Sequence, residues 1–127
     1  MPPTRRLAIC IATYRRPDGL RRLLNALAEH LPRWTRELDL DPRIIVVEND
    51  PDASARSLLH TFRDRLPLDP RHEPRPGIVP ARNAALDAAL PDHDLLAFLD
   101  DDETPHPDWL TRLLRTLDEH DADVATG

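Results

Sequence analysis

Short apolar runs of strand length alternate along the chain with longer segments whose leucines recur at helical spacing, and this alternation constrains the fold more than any other feature. The run "LAICIA" (Leu7 to Ala12) is continuous and contains β-branched residues, as expected of a strand buried on both faces. The polar stretch "TYRRPDG" follows it. Leu20, Leu23, Leu24, Leu27 and Leu31 then recur three and four apart, which predicts an amphipathic helix with arginines on its outer side. "RIIVVEND" repeats the pattern, with a strand over Ile44 to Val47 that ends in a polar cluster. Ala55, Leu58, Leu59, Phe62 and Leu66 predict a second helix. "LDPRHEP" reads as a short third strand, weakened by Pro70. "RPGIVPARNAALDAAL" reads as a loop and an Ala-rich helix to about Leu90. "DLLAFLD" predicts a fourth strand, and Trp109, Leu110, Leu113, Leu114 and Leu117 the helix after it. "DADVATG" begins what reads as a further strand, over Asp123 to Thr126.

Strands and helices that alternate with short connections indicate an α/β domain: a mainly parallel sheet flanked by helices on both faces. In such sheets ligands bind at the carboxyl ends of the strands, near the point where strand order reverses. The polar clusters fall at those ends: Thr13 to Arg16 after the first strand, Glu48 to Asp50 after the second, and Asp100 to Glu103 after the fourth. One rim is therefore expected to collect the chemistry.

The remaining letters exclude several functions. All 17 basic residues are arginine, so no mechanism can rest on a Schiff-base or P-loop lysine, while arginine provides planar, bidentate recognition of phosphate. A net charge of -6 argues against a nucleic-acid partner, which usually meets a basic face. Cys10 is the single cysteine and lies in an apolar run, so it reads as a buried thiol with no disulfide partner in the chain. The three glycines, at 19, 77 and 127, form neither GxGxxG nor a Walker A loop. Ser54 and Ser57 are the only serines and neither sits in GxSxG. The six histidines show no HxH or HxxxH spacing, which argues against zinc. With no stretch resembling a signal peptide or membrane span, the expected location is cytoplasmic, with peripheral membrane contact left open.

The acidic run Asp100-Asp101-Asp102-Glu103 poses the main question. Two such charges about 6 Å apart repel by about 3 kcal/mol at an effective dielectric near 20. A hard divalent cation, Mg2+ or Mn2+, would offset that repulsion, since these ions bind through one or two carboxylates plus water and substrate phosphates. The competing reading is a turn or helix cap with solvated acids. Arg15, Arg16 and Arg82 fall on the same rim, Arg82 near the start of a helix after Gly77, where an anion is favoured. A cation and arginines together would hold a diphosphate from both sides. His106 lies near the acids but reads as an exposed loop residue. Asp100, Asp102 and Thr104 also form D-x-D-x-T, which resembles the nucleophile motif of haloacid-dehalogenase-type phosphatases. That likeness covers five residues, and that fold also needs a later lysine or arginine and further acids, for which only 23 residues follow Thr104.

Taken together, "LAICIATYRRPDGLRRLLNAL", "RIIVVENDPD", "EPRPGIVPARNAAL" and "LLAFLDDDETPHPDWL" resemble the nucleotide-binding half of family 2 glycosyltransferases, which have the GT-A fold, a Rossmann-like arrangement. The likeness runs from about Leu7 to Gly127. It implies that Thr13, Tyr14 and Arg15 line the base and ribose, that Glu48 and Asn49 read the base, and that Arg82 supports the nucleotide. It implies that Asp100 and Asp101 contact the nucleotide sugar, and that Asp102, with Asp100, binds Mg2+ or Mn2+. Glu48-Asn49 stands where many members have D-D or D-N, so the resemblance leaves uracil, thymine and guanine open, with a UDP-sugar favoured. Trp109 in "PDWL" reads as packing. The implied reaction is inverting transfer of a sugar from a nucleoside-diphosphate sugar to an acceptor hydroxyl, with neither the sugar nor the acceptor named. Residues 1–127 would form one incomplete domain, because the family's catalytic base and acceptor-binding portion follow "VATG". The alternative is a catalytically inactive nucleotide-binding or assembly module.

Overall fold

The computed structural model describes residues 4–90 and 92–120. The chain runs β1 (Arg5–Thr13), α1 (Pro17–Leu38), β2 (Leu40–Glu48), α2 (Arg56–Thr61), β3 (Leu68–His72), α3 (Ile78–Ala89), β4 (Leu95–Asp100) and α4 (Trp109–His120). The four strands form one parallel sheet in the order β3-β2-β1-β4, as the alternation predicts. The further strand expected over Asp123 to Thr126 lies outside the described residues. Among those residues, no helix is long and apolar enough to cross a membrane.

Each sheet face has its own core. Leu7, Ile9, Ile11, Ile44 and Val46 point toward α1, α2 and α4, where Leu20, Leu23, Leu24, Leu27, Trp34, Leu58, Leu59, Leu110 and Leu114 close over them. Ala8, Cys10, Ile45 and Val47 point the other way, against Ala81, Ala85 and Ala89 of α3. Alanines on α3 let the helix lie close to the sheet, so the Ala-rich pattern fixes its depth. Cys10 is buried there as expected, and burial pushes its thiol pKa up to about 12.

Two helices differ from their expected extents, and the weakest expected strand forms. α1 continues past Pro32 to Leu38. A proline inside a helix removes one N–H and usually breaks it; here the following turn is held by Trp34, which is fully buried and donates from Nε1 to the Pro107 carbonyl at 2.7 Å. The second helix is shorter than its apolar spacing suggests. It ends at Thr61, and Phe62 and Leu66 reach the core from turns closed by Phe62 N–H to the Leu59 carbonyl and Leu66 N–H to the Phe62 carbonyl. Pro67 follows directly, and the residue before a proline is pushed out of the helical region. β3 does form across Pro70, opposite Val46. It is an edge strand, where the missing N–H costs no ladder bond.

Strand order reverses beside β1. The chain moves from β1 outward to β2 and β3, then returns to the other side of β1 as β4. The carboxyl ends of β1 and β4 are therefore adjacent, with Ala12 opposite Asp100, and this is the switch point at which a ligand cleft is expected.

Candidate nucleotide and metal cleft

The register of β1 and β4 brings Thr13 beside Asp101. Thr13, 2% exposed, donates from Oγ1 to Asp101 Oδ2 at 3.0 Å, and the Tyr14 N–H reaches the same oxygen at 3.4 Å. Gly19 in the first turn of α1 packs against the backbone of Asp101 so closely that an added Cβ would stand 2.7 Å from the Asp101 carbonyl oxygen. At the far end of the loop, the Pro107 carbonyl accepts hydrogen bonds from Arg33 and Trp34. The acidic loop is thus fixed at both ends by α1.

The four acids are handled separately. Asp101 is buried and hydrogen-bonded, with Arg16 Nε 3.9 Å from its other oxygen. Asp102 is exposed and meets Arg16 at 3.3 Å. Glu103 accepts the Asp100 N–H at 2.9 Å, while its own N–H donates to the Asp100 carbonyl at 3.0 Å. Glu103 therefore closes the turn. The Asp100 carboxylate is exposed at the strand end.

A cleft of about 500 Å³ opens between this loop and the start of α3, lined by Thr13, Tyr14, Arg16, Asn49, Gly77, Arg82 and Asp100 to Asp102 among others. That volume suits a ligand of nucleotide size. Gly77 has φ +113°, a conformation closed to most side chains, and its carbonyl begins α3 by accepting the Ala81 N–H. Arg82 follows on the second turn of α3, exposed along the cleft wall. Cationic and anionic groups thus face one another across the cleft. Among the described residues, no three His, Cys, Asp or Glu side chains converge as a self-sufficient metal cage. Asp100 and Asp102 are the exposed carboxylates of the cleft wall, the donor type that Mg2+ or Mn2+ takes when water and phosphate supply its other ligands.

Most of the expected site residues meet in this cleft: Thr13, Tyr14, Asn49, Arg82, Asp100, Asp101 and Asp102. Two do not. Glu48 is 4% exposed and turned away, with its oxygens accepting the N–H groups of Asp50 at 3.1 Å and Ala55 at 3.0 Å. Burial raises its pKa, and its position is that of a clamp on the loop after β2. Arg15 turns aside through φ +51°. Its guanidinium pairs with Asp50 at 3.2 Å and Asp52 at 3.4 Å and lies 5.3 Å from the centre of the Tyr14 ring. Arg15 thus braces Tyr14 from a neighbouring pocket, shared with Arg16 and Ser54.

Asn49 lines the cleft with its polar atoms already engaged. Its Nδ2 donates to the carbonyls of Glu73 at 2.9 Å and Arg75 at 2.7 Å, and its Oδ1 accepts the Gly77 N–H at 3.3 Å. It therefore fastens the 73–77 loop to the end of β2. Glu73 is buried and bound by Arg75, which holds its carboxyl below the usual range. Asp50, 1% exposed, carries a carboxyl held well below its ordinary value by Ser54, Arg15 and the Asp52 N–H. The Asp50–Arg15 and Glu73–Arg75 pairs were not foreseen, because each reads in sequence as loop charge. Trp109 packs as expected, its ring 5.8 Å from Trp34. His106 is exposed, and its Nδ1 accepts the Asp108 N–H at 3.1 Å.

Comparison with known proteins adds independent findings. A family model described as "Glycosyl transferase family 2" matches residues 8–127. The chain is 43% identical over 115 residues to the succinoglycan biosynthesis protein ExoM of Rhizobium meliloti (strain 1021), a match that covers 89% of this chain and 35% of that protein. Among solved structures, S. aureus TarS 1-349 in complex with UDP-GlcNAc superposes with a TM-score of 0.70 at 22% identity, covering 93% of this chain and 32% of that one. The mannosyltransferase PcManGT from Pyrobaculum calidifontis, in complex with GDP-Man and Mn2+, gives a TM-score of 0.69 at 23% identity, covering 90% of this chain and 32% of that one. At these identities the structures establish the shared fold. The chain spans about a third of the length of each of these relatives.

Proposed function

Since the chain belongs to glycosyl transferase family 2, we propose that its rim cleft is the donor site of a metal-dependent glycosyltransferase. The ligand is a nucleoside-diphosphate sugar, a UDP-sugar by preference. The observation that carries this reading is the cleft itself: buried Asp101 locked to Thr13, exposed Asp102 and Asp100 beside it, and Arg16 and Arg82 around the same space. A nucleotide-sugar ligand in the TarS structure and GDP-Man with Mn2+ in the mannosyltransferase structure support it by analogy.

The residues divide the work by their surroundings. Asp101 is committed to Thr13 and Tyr14, so its role is to set the loop and offer its second oxygen to a ribose or metal. Asp102, with Asp100, holds Mg2+ or Mn2+, which would supply charge neutralisation for the departing diphosphate. Arg16 now pairs with Asp102; a cation at Asp102 would release Arg16 toward phosphate oxygens. Arg82 approaches from the α3 side, at a helix start where anions are stabilised. Asn49 presents the 73–77 loop as a wall for the base. The reaction is transfer of the sugar to an acceptor hydroxyl with inversion, with a glycan and a lipid-linked saccharide as the acceptor classes to test. A cytoplasmic location belongs to the same reading.

A second reading, a nucleotide-binding module without transfer activity, is favoured by one observation. The carboxylates lining the described cleft are Asp100, Asp101 and Asp102, all assigned to donor and metal, so none remains to deprotonate an acceptor. Sugar release from a UDP-sugar by this chain separates the two readings. The cleft assignment is tested by paramagnetic broadening with Mn2+ and UDP: signals of residues 13–16 and 100–103 should vanish first. Broadening elsewhere, or none, would overturn it.

A further inference from the structure

On the β3 side of the sheet, α2 and β3 enclose a second pocket of about 230 Å³. It shares no lining residue with the donor cleft. Three arginines, Arg56, Arg63 and Arg71, line it in a chain of net charge -6. Arg56 and His60 on α2 and Arg63 on the following turn recur four and three apart, the spacing that places side chains on one helical face. Arg71 and His72 face them from β3.

The local charges do not cancel. Arg71 is taken up by Asp69, in two contacts of 2.9 and 3.0 Å. Neither Arg56 nor Arg63 has an ion-pair partner among the described residues, and both are exposed. The one acid in the wall, Glu48, is buried and already holds two backbone N–H groups. His72 donates from Nε2 to the Asp50 carbonyl at 2.8 Å, which fixes its ring at the pocket edge. A single exposed arginine is ordinary surface. Two guanidiniums without ion-pair partners lining one concavity form a receptor for an anion, and the guanidinium fork matches phosphate oxygens best.

We infer that this pocket is a second anion site, separate from the donor cleft, that takes a phosphate-bearing ligand. The phosphate comes either from a free diphosphate or from an anionic phospholipid headgroup. The site stands on its own residues and does not depend on the proposed activity.

The test is a titration of the 15N-labelled chain with inorganic pyrophosphate, without divalent metal, followed by amide chemical shifts. Saturable shifts are expected at residues 56–63 and 71–72. Arg56→Ala with Arg63→Ala should weaken the binding read at residues 56–63 and 71–72 about tenfold or more. Co-sedimentation with phosphatidylglycerol or phosphatidylcholine vesicles identifies the source. Retention on the anionic vesicles alone, lost in the double variant, identifies a headgroup, and pyrophosphate binding without vesicle retention identifies a free phosphate. The proposal is overturned by absence of both kinds of binding, by binding that survives the double variant, or by shifts confined to residues 13–16, 82 and 100–102. The shift map is read in the unaltered chain, so the place of the site is tested even where the variants fail to fold.

Discussion

Gly19→Ala separates helix propensity from site geometry. Gly19 is the third residue of α1, and alanine inside a helix is worth about 1 kcal/mol more than glycine. Propensity alone therefore predicts a more stable chain, with a melting temperature higher by about 4 °C. The structure predicts otherwise. The new Cβ would stand 2.7 Å from the Asp101 carbonyl oxygen and 3.6 Å from its carbon, and both contacts are with backbone, which cannot rotate aside as a side chain can. Overpacking of this kind costs about 1–3 kcal/mol, so the net change should run from about zero to 2 kcal/mol destabilising. The larger effect falls on the ligand. Relief of the clash moves Asp101 away from Thr13 and shifts Asp102 with it, so affinity for UDP with Mn2+ should drop about tenfold or more, the consequence of losing one charge-assisted contact. Urea unfolding and calorimetric titration on the same preparation measure both quantities. A variant that is about 1 kcal/mol more stable and binds UDP and Mn2+ unchanged would refute the reasoning.

Further expectations come from the loops. Thr13→Val removes the hydroxyl donor to buried Asp101 and should cost about 1–3 kcal/mol in urea unfolding; no loss would mean that water replaces the hydroxyl. Asn49→Ala deletes three bonds to the 73–77 loop and should cost about 2–3 kcal/mol, with faster amide exchange at Gly77. Asp50 has a folded pKa below its ordinary 3.8, so its contribution is complete above about pH 4 and fades as pH falls further. Asp50→Asn should accordingly be less stable than the parent at neutral pH, with the gap narrowing below about pH 4; a gap independent of pH would contradict this. Cys10, raised to about 12 by burial, should resist thiol reagents at pH 8 until denaturant unfolds the chain. Rapid labelling of the native protein would show that α3 opens readily.

The fold was legible because its signals are local. Apolar runs mark strands buried on two faces, and the leucines of α1 and α4 mark helices over one of them. Parallel order follows from the alternation, and Thr13, Asn49 and Asp100 to Asp102 then fall on one rim. What escaped depends on side chains that meet only in three dimensions. Glu48 and Asn49 are neighbours at a strand end, and the pleat sends one to a backbone clamp and the other to the cleft. Arg15 and Arg16 are equivalent as letters, yet the positive φ at Arg15 separates them. Gly19 reads as the end of a polar loop; its value lies in the carbonyl oxygen of a residue 82 positions away. α2 ends early because Pro67 and the burial of Phe62 and Leu66 outweigh the apolar spacing.

Thermal unfolding with UDP, dTDP and GDP, each with and without Mn2+, in the parent chain and in Asp102→Asn, tests the central claim most directly. A ligand at about 100 times its dissociation constant adds about 2.7 kcal/mol, a shift of roughly 10 °C for a domain of this size. The account predicts that shift for one nucleotide, only with Mn2+, and its loss in Asp102→Asn. A cooperatively unfolding chain that shows no shift with any pair, or an equal shift in Asp102→Asn, would contradict a donor site built on Asp102.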